Sequence, residues 1–298
     1  MLKVDKITKY YDDFKAVDNL SFEVKEGEIF GLLGANGAGK TTTFRMIMNL
    51  INQDSGIITL NGKKIDYNVT DEIGFLTEER SLLLKLTVKE LMIYYGRLKS
   101  MKEEDILKEL DIWLKKFDIE KYKNKKIKEL SKGNKQKIQF ISAVINNPKL
   151  LILDEPFSGL DPINVDMFID AINEIKKRGT MIIFSSHQMN HVELFCEKLI
   201  IMDKGKAILS GYLKDIKKSY SERKILLKAD TTLEEISKID NITNIIKKGD
   251  EFELKIEDEK YVDDIFKKVS KLKNVRKFEV KELSLHEIFT KEVGDRHE

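Results

Sequence analysis

The chain has 298 residues, 41% of them hydrophobic and 35% charged, with 53 Lys and Arg against 51 Asp and Glu for a formal net charge of +2. That length supplies a sizeable core and room for about two domains, the composition excludes a disordered chain, and the balanced charge argues against nucleic acid as a main partner. The one cysteine, Cys196, excludes an internal disulfide and fits a reducing, cytosolic setting.

Residues 2–7 alternate as a strand does, and Leu20-Ser21-Phe22-Glu23-Val24 does so again, which predicts an antiparallel hairpin beside a parallel core. Tyr10 and Tyr11 fall between them. An aromatic upstream of a phosphate-binding loop can stack on a base, and on residue type alone either tyrosine suits. The first residues have no signal-peptide build, and no stretch reaches the ~18 apolar residues of a membrane span.

Ile29-Phe30-Gly31-Leu32-Leu33 reads as a buried strand and Thr43-Phe44-Arg45-Met46-Ile47-Met48 as the start of a helix. Between them lies Gly34-Ala35-Asn36-Gly37-Ala38-Gly39-Lys40-Thr41-Thr42, which fits the phosphate-loop pattern G-x-x-x-x-G-K-[ST]. Glycines let successive N–H groups turn inward towards a triphosphate, and the following helix adds the positive end of its dipole. Lys40 supplies a full charge, and Thr41 offers a hydroxyl to Mg²⁺, which takes few protein ligands.

Gly56-Ile57-Ile58-Thr59-Leu60-Asn61-Gly62 reads as a strand ending in an Asn-Gly turn, and Ile73-Gly74-Phe75-Leu76 as another strand. From Thr87 to Leu130 helical periodicity takes over, which predicts a helical subdomain at about 85–147. Trp113 sits on an apolar face there and reads as packing. Ser131 is placed as the N-cap of the next helix, with Ile138, Phe140, Ile141 and Val144 as its apolar stripe and Pro148 as its stop.

Leu150-Leu151-Ile152-Leu153 is a continuous apolar run, as expected of a strand buried on both faces, and it delivers Asp154 and Glu155 at its carboxyl end. One acid can hold Mg²⁺ and the other can take a proton from an attacking water. Met181-Ile182-Ile183-Phe184 repeats the arrangement and delivers Ser185, Ser186 and His187. Residues 199–202 and 207–209 predict a hairpin through Lys204-Gly205. His191 has no chemical role in this reading, and Cys196 lies in an apolar helical pattern that reads as buried.

Beyond about Tyr220 the texture changes. Residues 224–229, 251–256 and 275–280 read as strands and 233–239, 261–272 and 284–292 as helices, a small α+β domain of ferredoxin-like type. The expected division is therefore 1–220 and 221–298. The fold class is α/β: a P-loop NTPase core with an antiparallel β subdomain and a helical insertion, plus the small C-terminal α+β domain.

Taken in order, these motifs resemble the ATP-binding subunit of an ATP-binding cassette (ABC) transporter over residues 1 to about 215. The phosphate loop matches, as does Leu151-Ile152-Leu153-Asp154-Glu155-Pro156. Ser158-Gly159-Leu160-Asp161 is similar to the family's D-loop and His187 to its switch histidine, and Leu130-Ser131-Lys132-Gly133-Asn134 stands where the signature Leu-Ser-Gly-Gly-Gln stands. The ending Leu283-Ser284-Leu285-His286-Glu287-Ile288-Phe289 resembles an extension found on a bacterial exporter branch that includes sodium-extrusion ATPases. The resemblance implies ATP and Mg²⁺ as cofactors, ATPase activity, and transport, towards export, through separate membrane permease chains. It places the protein on the inner face of the cell membrane through that partner. By position it implies Tyr11 as the adenine-stacking aromatic, Glu155 as base and His187 at the γ-phosphate. It further implies Thr41, Glu78 and Asp154 around Mg²⁺.

The resemblance also implies a second cassette, as a homodimer or heterodimer. Ser131 and Gly133 would reach the nucleotide bound by that partner, and Asp161 would lie at the shared interface. Two positions depart from the pattern: Glu78 stands where the family has Gln, and Lys132 and Asn134 replace a Gly and a Gln of the signature. Two further readings remain at this stage: a soluble ABC-type ATPase acting on ribosomes or DNA, and a nucleotide-binding switch with weak turnover. The first generally carries two cassettes or a long coiled-coil insertion, which this chain lacks.

Overall fold

A computed structural model of the chain describes residues 1–66, 69–77 and 82–294. The chain divides into two compact units, Met1–Ser210 and Gly211–Glu298.

The first unit opens with β1 (Leu2–Tyr11) and β2 (Phe14–Val24), paired antiparallel across a two-residue turn. β3 (Ile29–Gly34) leads through the glycine loop into α1 (Lys40–Ile47). Then come β4 (Ser55–Leu60), β5 (Lys63–Lys64) and β6 (Ile73–Leu76). The β4–β5 turn is Asn61-Gly62, both at positive φ (51° and 78°), as a tight hairpin turn demands. Three helices follow: α2 (Val88–Leu98), α3 (Glu103–Lys116) and α4 (Lys132–Val144). A reciprocal capping box starts α2: Thr87 Oγ1 accepts from the Glu90 N–H at 3.2 Å and the Glu90 carboxylate accepts from the Thr87 N–H at 2.8 Å. β7 (Leu150–Asp154), α5 (Pro162–Lys177), β8 (Met181–Ser185), α6 (Met189–Phe195), β9 (Lys198–Asp203) and β10 (Lys206–Tyr212) complete the run.

Two sheets result. One has the order β2-β1-β4-β5, and the other β10-β9-β3-β8-β7-β6, in which β9, β3, β8, β7 and β6 pair in parallel. The parallel strands β3, β7 and β8 are buried along their whole length, which is why they read as unbroken apolar runs rather than alternating ones. A single core joins the sheets, with Leu2, Val4 and Ile7 of β1 in one cluster with Phe30, Phe44, Ile152 and Ile183. Phe22 and Phe30 stack with ring centroids 4.9 Å apart. A second aromatic chain links Trp113 to Phe117 and Phe140, these two to Phe168, and Phe168 through Phe157 to Phe184 and Phe195. Trp113 and Cys196 are both buried.

The second unit contains α7 (Leu213–Ser219), β11 (Arg223–Asp230), α8 (Leu233–Ile236), β12 (Ile242–Lys248), β13 (Glu251–Ile256), α9 (Val262–Val269), β14 (Lys273–Glu282) and α10 (Leu285–Gly294). Its sheet has the order β12-β13-β11-β14, and the chain order β-α-β-β-α-β is that of a ferredoxin-like split βαβ unit. Alternate residues Ile225, Leu227, Phe252, Leu254 and Ile256 pack with Ile236, Ile265 and Val269. Strand β12, Ile242-Thr-Asn-Ile-Ile-Lys-Lys, is absent from the sequence expectation, and α8 stops at Ile236 rather than 239. Both differences have one cause: the chain must turn, with Asn241 at φ 67°, to place a largely exposed edge strand. On the sheet face away from the core, Glu253 is paired by Lys248 at 2.6 Å and Lys224 at 2.9 Å. Hydrogen bonds from these two lysines push its carboxyl down to about 2.

Candidate active site

β3 must release the chain into a loop at the carboxyl edge of its sheet. Gly34 makes the first bend at φ 151°, and a Cβ there would lie 2.5 Å from the Met202 carbonyl oxygen and 2.8 Å from Ala38 Cβ. Gly39 makes the last at φ 103°, where a Cβ would lie 2.5 Å from the Ala16 carbonyl oxygen. Both positions exclude a side chain on space as well as on conformation. The loop runs straight into α1, so that helix's unpaired N–H groups face the same opening. Lys40 Nζ donates to the Gly34 carbonyl at 2.7 Å and to the Ala35 carbonyl at 3.1 Å, which keeps its charge over the loop. Ala38 is buried behind the loop, its N–H donating to the Ala35 carbonyl at 3.1 Å.

β7 and β8 lie next to each other with Asp154 in register with Ser185. Asp154 is buried, and Ser185 Oγ donates to its Oδ1 at 2.5 Å. Glu155 follows with φ 49°, in the left-handed region. Its Oε1 accepts from the His187 N–H at 2.7 Å, and its Oε2 faces His187 Nδ1 at 2.9 Å and accepts from Ser186 Oγ at 3.3 Å. The carboxylate thereby sets a hydrogen on Nδ1 and turns the other ring nitrogen of His187 outward. The His187 side chain is 65% exposed while that of Glu155 is 10% exposed, so an open imidazole sits on a largely covered acid.

Lys40, Asp154 and Glu155 line one cleft of about 320 Å³; Gly34, Ala38 and His187 are not among its lining residues. Asn36, Thr41 and Thr42 also line it, as do Tyr11, Phe14 and Ala16 of the β1–β2 hairpin. Gly37 and Gly39 line it too. Tyr10, next to Tyr11, is not among the lining residues; Lys15 Nζ lies 5.2 Å from its ring centre and its N–H donates to Asp54 at 2.6 Å. The site lies outside the carboxyl ends of parallel strands, where open α/β sheets place ligands.

Ser131, Gly133 and Asp161 are brought together elsewhere. Ser131 caps α4, accepting from the Asn134 N–H at 3.3 Å. Asp161 caps α5, accepting from the Asn164 N–H at 3.0 Å and from Asn164 Nδ2 at 2.5 Å. Those bonds, led by the Asn164 N–H, hold the Asp161 carboxyl below the ordinary carboxylate value. A Cβ on Gly133 would meet the same Asn164 Nδ2 at 3.6 Å. None of the three lines the cleft, so one chain carries a phosphate-shaped pocket and, apart from it, a serine–glycine corner. Glu78 lies outside the described residues. His191 packs its ring 4.7 Å from Phe157, and burial pushes its imidazole down from its ordinary value.

Several residues of the site escape sequence reading. Phe14 and Ala16 enter the cleft only through the hairpin register. On α4 the side chains of Gln136, Lys137 and Gln139 are buried beside the apolar stripe. Gln136 Nε2 donates to the Pro156 carbonyl at 2.5 Å, directly after Glu155. Gln139 Nε2 donates to the Thr77 carbonyl at 3.2 Å, directly before Glu78. Lys137 Nζ donates to the Phe117 carbonyl at 3.0 Å, and burial lowers its ammonium from its ordinary value. Three polar residues inside a helix N-terminal segment are a signal, but they carry no periodicity to find.

A family profile described as "ABC transporter" matches residues 17–158. The uncharacterized ABC transporter ATP-binding protein YhaQ of Bacillus subtilis is 46% identical over 298 residues, all of both chains. The chain belongs to the ABC transporter family. Within it, this cassette is an ATP-binding subunit: such subunits bind and hydrolyse ATP, pair with a second cassette and work with separate membrane permeases. Residues 211–293 match the profile "ATP-binding protein DrrA1-3-like, C-terminal domain". The lipopolysaccharide export system ATP-binding protein LptB of Haemophilus influenzae is 34% identical over 217 residues, 71% of this chain and 90% of its own. A solved ATP-binding subunit of an ABC transporter aligns with TM-score 0.70 at 30% identity, covering 74% of this chain and 93% of the other. The dimeric cassette MJ0796 in a post-hydrolysis state with ADP and Pi aligns with TM-score 0.64 at 25% identity, covering 72% and 99%. Among the described residues no helix is long and apolar enough to cross a membrane.

Proposed function

We propose that this cassette closes head-to-tail on a second cassette around two ATP molecules, and that Glu155 activates the water that attacks each γ-phosphate. The reading is carried by one observation: a deeply seated carboxylate, fixed by His187 and Ser186, opens onto the same cleft as the glycine loop and Lys40. The loop N–H groups and Lys40 bind the phosphates, and Tyr11 stacks on the base. The Glu155 carboxylate accepts a proton from water, and His187 turns its outward nitrogen to the γ-phosphate. Ser131 and Gly133 complete the partner's site, with Asp161 at the interface.

The Thr41 hydroxyl and the buried Asp154 carboxylate line the cleft as hard oxygen donors, the kind Mg²⁺ takes, and Glu78 is the third residue assigned to it. When bound, the ion neutralises phosphate charge. Asp154 is oriented for that by the Ser185 hydroxyl. The expected boundary near residue 220 lies about ten residues inside the unit that begins at Gly211, and that C-terminal unit is put as an accessory domain. The chain works on the inner face of the cell membrane, held there by a permease, and transport runs outward. The export name of LptB and the extension at 283–289 support that direction.

The test is direct. Purified protein with MgATP is expected to release phosphate, and Glu155→Gln is expected to accumulate an ATP-dependent dimer by size-exclusion chromatography. Full turnover by a strictly monomeric wild type would overturn the shared-site reading. Recovery with ribosomes or DNA, rather than with membranes, would overturn the permease assignment.

A further inference from the structure

The feature that the family motifs leave unexplained is Phe14. It is 62% exposed, more than either Tyr10 or Tyr11 at 43%. It stands directly across the β1–β2 turn from Tyr11, and directly opposed residues of an antiparallel pair present their side chains on the same side. Both line the cleft. A lone exposed phenylalanine is ordinary on a protein surface. One held opposite an aromatic at the mouth of a phosphate-binding cleft is not placed at random.

The arm that carries the pair is anchored. The Asp54 carboxylate accepts from Lys9 Nζ at 2.9 Å and from the Tyr10 N–H at 2.6 Å, and the Asp54 N–H donates to the Thr8 carbonyl at 2.9 Å. Asp12, at φ 51°, closes the two-residue turn. The tip is therefore positioned before any ligand arrives.

We propose that Phe14 is a second base-contacting residue, closing with Tyr11 a two-ring clamp on the nucleobase; this rests on the assignment of the cleft to ATP. Rings and the Ala16 methyl group read the faces of a base and not its hydrogen-bonding edge. The contribution of Phe14 therefore goes to the base, is shared by adenine and guanine, and leaves the phosphates untouched.

The experiment titrates ATP, GTP and inorganic tripolyphosphate into wild type, Phe14→Ala and Phe14→Trp, with thermal unfolding of each as a control for folding. Phe14→Ala is expected to weaken ATP and GTP by the same factor, roughly 5- to 160-fold for one lost stack. Tripolyphosphate binding stays at the wild-type value, and Phe14→Trp retains the nucleotide affinities. Unchanged ATP affinity in Phe14→Ala, with wild type binding ATP, overturns the clamp alone. An equal loss for tripolyphosphate also overturns it, since the defect would then lie in the loop. A wild type that binds no ATP would overturn the cleft assignment and the clamp with it.

Discussion

Replacing Glu155 by Gln separates binding from chemistry, because the surroundings of the side chain accommodate an amide. The Oε1 position accepts from the His187 N–H at 2.7 Å, and an amide oxygen does this equally well. The Oε2 position faces His187 Nδ1 at 2.9 Å. An amide NH₂ there donates to Nδ1 once the imidazole carries its hydrogen on the other nitrogen. Ser186 Oγ, 3.3 Å away, has a lone pair for the second amide hydrogen. Only the buried Ser186 hydroxyl hydrogen loses its acceptor at Oε2, so thermal stability should fall by no more than about 1–3 kcal/mol. On the role proposed for Glu155, what disappears is a base. Loss of general-base catalysis costs about 10²–10⁴ in rate, which at about 1.36 kcal/mol per decade is roughly 2.7–5.4 kcal/mol of barrier. Phosphate release under saturating MgATP measures the rate, and fluorescence titration with ATP measures binding. Turnover within about threefold of wild type would refute the role of Glu155. A large fall in Tm would refute the claim that the amide is accommodated.

Three further outcomes follow from the same geometry. Lys40→Ala removes the charged donor over the loop and should weaken ATP binding by about 10-fold or more, the weight of a charge-assisted hydrogen bond; calorimetric titration checks it. Ser185→Ala removes the hydrogen bond that the Ser185 hydroxyl donates to the buried Asp154 carboxylate and should cost about 1–3 kcal/mol, read from urea unfolding. Glu253 has its carboxyl lowered to about 2 from an ordinary 4.5, so its contribution is fully present above the unfolded value of about 4.5 and is lost as pH falls towards 2. Wild type should therefore lose more stability than Glu253→Gln between pH 5 and pH 3, measured by thermal unfolding of the full chain at each pH.

How much of this was legible beforehand depends on what each element spends its side chains on. β3, β7 and β8 declared themselves because strands buried on both faces are apolar at every position. The phosphate loop declared itself because two of its glycines admit nothing else. β12 was silent: Thr243, Asn244, Lys247 and Lys248 face solvent, and an edge strand needs no pattern beyond its ladder partner. Phe14 was silent for a different reason. Its meaning comes from the residue across the hairpin, and register is a property of the folded pair. Helix α4 was half legible. Its apolar stripe was visible, while Gln136 and Gln139 serve carbonyl groups 20 and 62 residues away, which no local window contains. Choosing between Tyr10 and Tyr11 likewise needed a resemblance, since the two are equal by type and differ only in which one lines the cleft.

Glu155 sits at φ 49°, a twist that glycine adopts freely and that branched or long side chains resist. Its own N–H bonds the Ser185 carbonyl at 3.1 Å and its carbonyl takes the Ser158 N–H at 3.1 Å, so the peptide has no route out of that conformation. Endurance and chemistry thus pull this position in opposite directions. Variants chosen in the laboratory for heat resistance alone would drift towards glycine or asparagine at 155, and only a screen that also reads nucleotide turnover would hold the acid in place.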